Sequence, residues 1–323
     1  MKAARLAGPR QFEFLDIPTP EIKANEVLVR MEQLAICGSD LLTYDKVMPE
    51  EDYPWRMGLP CHECFGTIAE SHDPNLPVGM RVVALTYAGG LMEYAPCPVD
   101  RIVPVPDHLP AHFAVLAQPV GTVVHAVQKM GSVLGKTVVV LGQGPIGLSF
   151  TDFLIKGGAT QVIVSDVVPY RLEAAKKIGA TATIDARKDD VIEAVAELTK
   201  GAMVDFAVEA CGLHETTNQV FKVLRAQGTA VIFGMPHGDP IVPFDWGAMY
   251  MKLPTMIVVN SARSNEVTPA VRTSMELMAQ GRLDPSYMVT HNVPFHEVGT
   301  AYEHFSKRTD GAIKVLIKGP SVS

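Results

Sequence analysis

Charge and aromatic side chains are scarce in this 323-residue chain: Asp, Glu, Lys and Arg make up 20% of it and Phe, Trp and Tyr 7%, against 47% hydrophobic residues. So little charge excludes a chain that stays disordered, and the length suffices for two domains with buried cores. No apolar run approaches the roughly 20 residues of a membrane-spanning helix, and the amino-terminal MKAARLAGPRQFEF holds no apolar run of signal-peptide length. A soluble cytoplasmic protein is expected, with no membrane partner. Positive charge is in deficit, 28 Lys and Arg against 35 Asp and Glu, for a formal charge of −7. Phosphate backbones are captured by clustered positive charge, so nucleic acid is not an expected partner. Cysteines are few and odd in number, five at 37, 61, 64, 97 and 211, which makes no disulfide framework and leaves thiol chemistry or metal ligation for any that matter. Internal repeats, low-complexity tracts and long linkers are absent as well.

What is present changes texture along the chain. Up to about residue 110 there are short β-type runs, VLVRMEQLA (27–35), RVVAL (81–85) and RIVPVP (101–106), punctuated by Pro and Gly, which predict an irregular β barrel or sandwich. From about 119 to 260 apolar strands alternate with amphipathic helices: TVVVL (137–141), QVIVSD (161–166), VDFAVEA (204–210), TAVIFG (229–234) and TMIVVN (255–260) are separated by segments such as PYRLEAAKKIG and DDVIEAVAELT. Parallel strands need crossover connections, so this alternation predicts a doubly wound parallel sheet. After 262 a helix, VRTSMELMAQG, leads to strands ending in AIKVLIK (312–318). The fold class is α/β, a β-rich domain plus a doubly wound one.

Directly after TVVVL comes Gly142-Gln143-Gly144-Pro145-Ile146-Gly147, a GxGxxG that opens a helix. An acid, Asp166, ends the next strand, nineteen residues beyond Gly147. Strand, glycine turn, helix and acid together are the signature of a dinucleotide site: the glycines allow a tight turn and close backbone approach to the pyrophosphate, and the helix amino terminus supplies N–H groups. Asp166 would accept from the adenosine ribose hydroxyls and repel a 2′-phosphate, which favours NAD over NADP; Arg171 softens that repulsion.

Upstream, two segments gather groups that bind metals: Cys37-Gly38-Ser39-Asp40, and Cys61-His62-Glu63-Cys64 after the turn Gly58-Leu59-Pro60. Thiolate, imidazole and carboxylate suit zinc, and a catalytic zinc keeps one position open. Cys61 and Cys64 make a CxxC around His62, open to reading as a redox or metal pair or, preferred here, as small-residue packing.

With ICGSD (36–40), LPCHECFG (59–66), GMRVVAL (79–85), LAQPVGTVVHAV (116–127), GQGPIG with Asp166, VDFAVEACG (204–212) and GAIKVLI (311–317), the whole chain resembles the zinc-dependent alcohol and polyol dehydrogenases of the medium-chain dehydrogenase/reductase superfamily. The resemblance implies a GroES-like catalytic domain from residues 1–118 and 262–323, a Rossmann NAD-binding domain at 119–261, and an active site between them. It implies one catalytic zinc per chain, bound by Cys37 and His62, with Glu63 coordinating directly or through water. Gln118 aligns with the family's third protein ligand, usually Cys or Glu; it is either a neutral ligand or an ordinary polar residue. The cysteine-rich loop of a structural zinc is missing, with only Cys97 in its region.

In the chemistry the resemblance implies, zinc favours the alkoxide of a bound alcohol, and hydride passes to nicotinamide. Ser39 corresponds to the hydroxyl that relays the alcohol proton; the next relay position, His in many relatives, is Leu42 here, so the proton leaves by another route, such as Glu63, water or the cofactor ribose. Asp40 either braces a ligand or caps a turn. Ala210, Cys211, Phe233, Gly234 and Met235 fall where relatives approach the nicotinamide and its ribose, and Lys314 is either a pyrophosphate contact or a solvated lysine. His125 reads as packing between domains. Tyr44, Tyr53 and Trp55 line a substrate pocket or belong to a rim or core. The leading expectation is a dehydrogenase of a secondary alcohol, with polyol, sugar or cyclitol as the expected class, forming a homodimer or homotetramer through the last strands of the Rossmann domain. The alternatives are a zinc-free reductase of an activated double bond or quinone, an isomerase or lyase that reduces bound NAD transiently, and a non-catalytic nucleotide binder.

Overall fold

In a computed structural model the described residues are 1–46, 49–86, 89–236 and 241–322. They form two units, one from Met1–Thr122 with Asn265–Ser323, the other Val123–Ser264.

The first unit opens with a hairpin of β1 (Lys2–Gly8) and β2 (Gln11–Asp16), followed by β3 (Glu26–Ala35), the short helix α1 (Leu41–Tyr44), β4 (Glu63–Ser71), β5 (Arg81–Ala84), β6 (Tyr94–Pro98), β7 (Ile102–Pro104) and α2 (Ala111–Ala114). Helix α3 (Ala117–Met130) then carries the chain into the second unit without a break. A continuous helix offers no change of composition at the boundary, and the units divide after Thr122 and after Ser264, a few residues from the division at 118 and 261 that the resemblance implies.

The second unit alternates β8 (Thr137–Leu141), α4 (Pro145–Lys156), β9 (Gln161–Asp166), α5 (Pro169–Lys177), β10 (Ala182–Asp185), α6 (Val191–Leu198), β11 (Val204–Glu209), α7 (His214–Val223), β12 (Leu224–Ile232), α8 (Trp246–Lys252) and β13 (Thr255–Val258). Its sheet runs β10-β9-β8-β11-β12-β13, with every neighbouring pair parallel. Val139, Leu141, Ile163, Ala207 and Ala230 are buried on these strands because helices cover them, which is why they read as continuous apolar runs rather than alternating ones. The order reverses between β8 and β11, and the crevice beyond the carboxyl ends of strands at such a reversal is where ligands bind in this architecture.

The chain returns to the first unit with α9 (Val267–Ala279), β14 (Val289–Val293), α10 (Val298–Lys307) and β15 (Lys314–Lys318). The larger sheet there is ordered β14-β15-β3-β4-β5-β7, with β6 also paired to β3. Strand register draws distant segments together: Ala35 at the end of β3 stands opposite Glu63 at the start of β4 and opposite Leu316 in the middle of β15, so that the antiparallel run carries Lys314 past the end of β3. One end of this sheet therefore collects the segment after β3, the segment before β4 and the first residues of β15. Among the described residues no helix is long and apolar enough to cross a membrane.

Candidate metal centre and nucleotide site

Cys37 follows β3, and His62 and Glu63 lead into β4, so pairing of the two strands brings them together. One ligand atom from each of the three residues lies within 4.8 Å of the others. Cys37 starts a single helical turn, Gly38–Asp40, which aims the Asp40 side chain back at the cluster. The Asp40 carboxylate, 2% exposed, has Oδ1 2.9 Å from His62 Nδ1, while its Oδ2 accepts the Cys37 backbone N–H at 3.0 Å. Asp40 thus accepts a backbone N–H of its own turn and stands beside the ring. Ser39 is half-buried on the same turn.

Burial works against a charged His62 ring, but the Asp40 carboxylate and the Cys37 sulfur facing it win, so its pKa lies well above the ordinary histidine value. Glu63 is completely buried, which pushes its carboxyl up from the ordinary value against the opposing pull of Lys314 and His62.

Lys314 requires a correction. It is neither solvated nor free for a pyrophosphate: the residue is 1% exposed, its Nζ lies 2.5 Å from Glu63 Oε2, and it donates to the Ile36 carbonyl at 2.8 Å. The cause is the strand register, which sets the start of β15 beside Ala35 and Glu63. A buried ammonium needs a buried counter-charge, and Glu63 supplies it.

Gln118 lies in the first turn of α3, which is held inside the first unit by the Ser274 hydroxyl donating to the Ala117 carbonyl at 2.7 Å. The Gln118 amide oxygen is buried with no hydrogen-bond donor. An orphaned acceptor of this kind is one that a cation would satisfy. Cys61 and Cys64 are both fully buried; contact with Cys64 and desolvation push the Cys61 thiol well up, and its sulfur contacts the Ala35 carbonyl at 3.6 Å. A protonated, enclosed thiol is a poor ligand and a poor redox group, in keeping with packing. Tyr44 is buried, with its ring centroid 6.0 Å from Phe12 and 5.2 Å from Tyr302, and Trp55 packs on the same core. Tyr53 donates its hydroxyl to the Lys46 carbonyl at 3.1 Å.

In the second unit the glycine turn sits at the carboxyl end of β8. Gly142 has φ +92°, and a Cβ there would stand 2.5 Å from the Cys211 sulfur. A Cβ on Gly147 would come within 1.8 Å of the Gly142 carbonyl oxygen, so only glycine lets helix and turn close on each other. Gly144 caps α4, with Pro145 at its first turn and Ile146 following. Gln143 is wholly buried beneath the turn: Nε2 donates to the Gly142 carbonyl at 2.9 Å, and Oε1 accepts from Thr151 at 2.9 Å. Its side chain supports the turn rather than presenting itself to a ligand.

Asp166 ends β9. Its Oδ2 accepts the Gln143 N–H at 2.6 Å and its Oδ1 the Val168 N–H at 2.8 Å, while Arg171 Nη1 lies 3.9 Å from Oδ2. The carboxylate is fixed beside the turn, with one cation in reach.

Glu209, the last residue of β11, lies in the VDFAVEACG segment without having been singled out there, yet it organises this end of the sheet. Its Oε1 accepts the N–H groups of Cys211 and Gly212 at 2.8 and 2.9 Å and the Thr216 hydroxyl at 2.7 Å. Its backbone carbonyl takes the N–H groups of Phe233 and Gly234, each at 3.1 Å. One residue thereby ties together the two loops that carry Ala210, Cys211, Phe233 and Gly234, whereas Met235 is exposed. An acid ending an apolar run, two positions before the small pair Cys211-Gly212, is the signal that could have found it. His125 is buried, with Nδ1 3.0 Å from the Ser261 hydroxyl, a contact inside the second unit.

Comparison with known proteins agrees with this anatomy. A family model described as "Alcohol dehydrogenase GroES-like domain" matches residues 23–107, and one described as "Zinc-binding dehydrogenase" matches residues 145–279. The sorbitol dehydrogenase of Bacillus subtilis (strain 168) is 28% identical, with 98% of this chain and 97% of the relative covered. An L-threonine 3-dehydrogenase of Chromobacterium violaceum is 26% identical over 92% of this chain and 94% of its own. The solved alcohol dehydrogenase TADH from Thermus sp. ATN1 shares the fold with a TM-score of 0.85 at 23% identity, covering 99% of this chain and 100% of that one. With family models matching in both units, the chain belongs to the zinc alcohol dehydrogenase-like family of the medium-chain dehydrogenase/reductase superfamily.

Proposed function

We propose that the protein is a zinc-dependent dehydrogenase that transfers hydride between NAD(H) and a secondary alcohol or its ketone, with polyols, sugars and cyclitols as the substrate class. The observation that carries this reading is the convergence of Cys37, His62 and Glu63 ligand atoms within 4.8 Å. Cys37, His62 and Gln118 would hold the metal, and Glu63 joins them when it exchanges Lys314 for the ion. When bound, zinc supplies Lewis acidity that favours the ionised alcohol, and the nicotinamide takes up the hydride. Ser39, two residues along from Cys37, takes the alcohol proton and, with leucine at 42, passes it to water or to a cofactor hydroxyl. Asp40 holds the His62 ring in one orientation throughout. Gly142, Gly144, Pro145, Ile146 and Gly147 supply the turn for the pyrophosphate, and Asp166 the acceptor for the ribose, with Arg171 close enough to lessen but not reverse a preference for NAD. We also propose that the active unit is a homo-oligomer built on β13.

Elemental mass spectrometry on protein purified without chelators, wild type beside Cys37→Ala, tests the reading together with NADH formation from a panel of polyols and sugars. About one zinc per wild-type chain, lost in the variant along with turnover, is the expected result. Folded wild-type protein that takes up no zinc when supplied with it would overturn the mechanism.

A further inference from the structure

Asp40 faces three donors, and the third comes from far along the chain. Oδ1 stands 2.9 Å from His62 Nδ1, and Oδ2 accepts both the Cys37 N–H and, at 3.0 Å, the Tyr302 hydroxyl. Tyr302 lies on α10, is completely buried, and packs its ring 5.2 Å from both Tyr44 and Phe12. A phenylalanine would fill the same space, so the hydroxyl is not needed for packing. The neighbouring ring makes the contrast: Tyr44 sends its hydroxyl to Glu303 Oε2 at 3.2 Å, away from the metal loop.

We propose that Tyr302 is a positioning residue of the metal centre, whose phenol locks Asp40 in the orientation that fixes both the His62 ring and the Cys37 backbone. This rests on the zinc reading of the site. Asp40 Oδ1 stands 2.9 Å from His62 Nδ1, an ion-pair contact that holds that edge of the ring against the carboxylate. Oδ2 holds the backbone of the ligand Cys37. A carboxylate can rotate about its Cβ–Cγ bond and exchange the two oxygens, and among the described residues the Tyr302 hydroxyl is the side-chain donor on Oδ2 that opposes this. Because Asp40 is buried, loss of that donor leaves an acceptor that bulk water does not readily satisfy. The aromatic cluster and α10 thus set the stiffness of a site more than 200 residues away in sequence.

Metal-free wild type, Tyr302→Phe and Tyr44→Phe are titrated with zinc in competition with a chromophoric chelator. Loss of an outer partner of a metal ligand typically costs about 10- to 100-fold in affinity, and Tyr302→Phe is expected at about the lower bound, roughly tenfold weaker. Tyr44→Phe is expected within about twofold of wild type, since it removes a hydroxyl from the same cluster without touching Asp40. In an Asp40→Asn background, Tyr302→Phe should add less than about twofold, because the phenol acts through the carboxylate. If metal-free Tyr302→Phe is unfolded, the rate of zinc capture by excess chelator from the loaded protein carries the same test, with about tenfold faster release expected. Zinc binding by wild type with equal affinity and release in Tyr302→Phe would overturn this inference and leave the zinc reading standing. Equal losses in the two phenylalanine variants, or full additivity with Asp40→Asn, would likewise overturn it in favour of packing. A wild type that binds no zinc overturns both.

Discussion

Gln118 is where the donor set departs from a fully charged one. Its orphaned amide oxygen is neutral, so the proposed centre carries the negative charge of Cys37 and only such of Glu63 as Lys314 releases. Replacing the amide by a carboxylate adds a charge at constant shape, and Gln118→Glu is expected to tighten zinc binding about tenfold, whereas Gln118→Ala weakens it by a similar factor. Chelator competition on the two variants measures this, and identical affinities would remove Gln118 from the ligand set. At this scale the sequence is informative where partners are neighbours along the chain: Cys37 with Asp40, His62 with Glu63, and the glycines with Asp166 stand in short segments whose spacing carries their chemistry. It is silent where the partner comes from elsewhere. Lys314 beside Glu63, and Tyr302 on Asp40, are set by the pairing of β15 with β3 and by the docking of α10, and no local pattern encodes either. Gln143 misleads for a related reason, because the glycine motif gives no sign of which way an intervening side chain points.

Strands and helices of the second unit were legible because each carries its own signal. The apolar runs of β8, β9, β11 and β12 are short and bounded by turns, and Gly144-Pro145 and Val168-Pro169 mark where helices begin. What a strand's end is tied to was not legible. Asp205, near the start of β11, accepts the Thr137 N–H of β8 at 2.9 Å and Arg225 Nε of β12 at 2.8 Å, with Lys136 Nζ 4.0 Å away. Burial tends to raise its pKa, but the Thr137 N–H, Arg225 and Lys136 outweigh it and hold the carboxyl below the ordinary aspartate value. An acid whose pKa is lowered by folding stabilises the fold above its unfolded pKa of about 3.9, and that contribution disappears as the pH falls through the lower folded value. Asp205→Asn should therefore cost about 1 kcal/mol at pH 7, discounted for partial exposure, and the gap from wild type should close as the pH drops below about 4. Urea titrations at several pH values measure it; a gap that stays constant down to about pH 3 would assign the effect to hydrogen-bond geometry rather than charge.

At the scale of the whole molecule, the sheet of the second unit ends in two edge strands among the described residues, β10 and β13, and large apolar side chains stand in solvent around β13. β13 pairs with β12 on one side only, and around it Val258 is 68% exposed, Tyr250 63% and Met251 74%, with Trp246, Leu253 and Met256 also open to solvent. A strand edge presents unpaired N–H and C=O groups that invite another strand, and large apolar side chains in solvent add to that liability. A second copy of the same strand is a chemically matched partner: two β13 segments related by a two-fold axis run antiparallel, satisfy each other's backbone and bury the apolar residues from both copies. The texture of the sequence marks TMIVVN as a strand but does not say that it lies at an edge; that follows only from the strand order. The expectation is a light-scattering mass of at least twice the 34.9 kDa of one chain, with Met256→Lys/Val258→Lys reducing it to that of a single chain at unchanged helix content. Both substitutions fall on exposed positions, so the isolated fold has room for the lysines, and like charges facing each other across the two-fold axis oppose pairing. A wild type that runs as a single chain at micromolar concentration would leave β13 for a different partner. A double variant that keeps the wild-type mass would move the interface to another face.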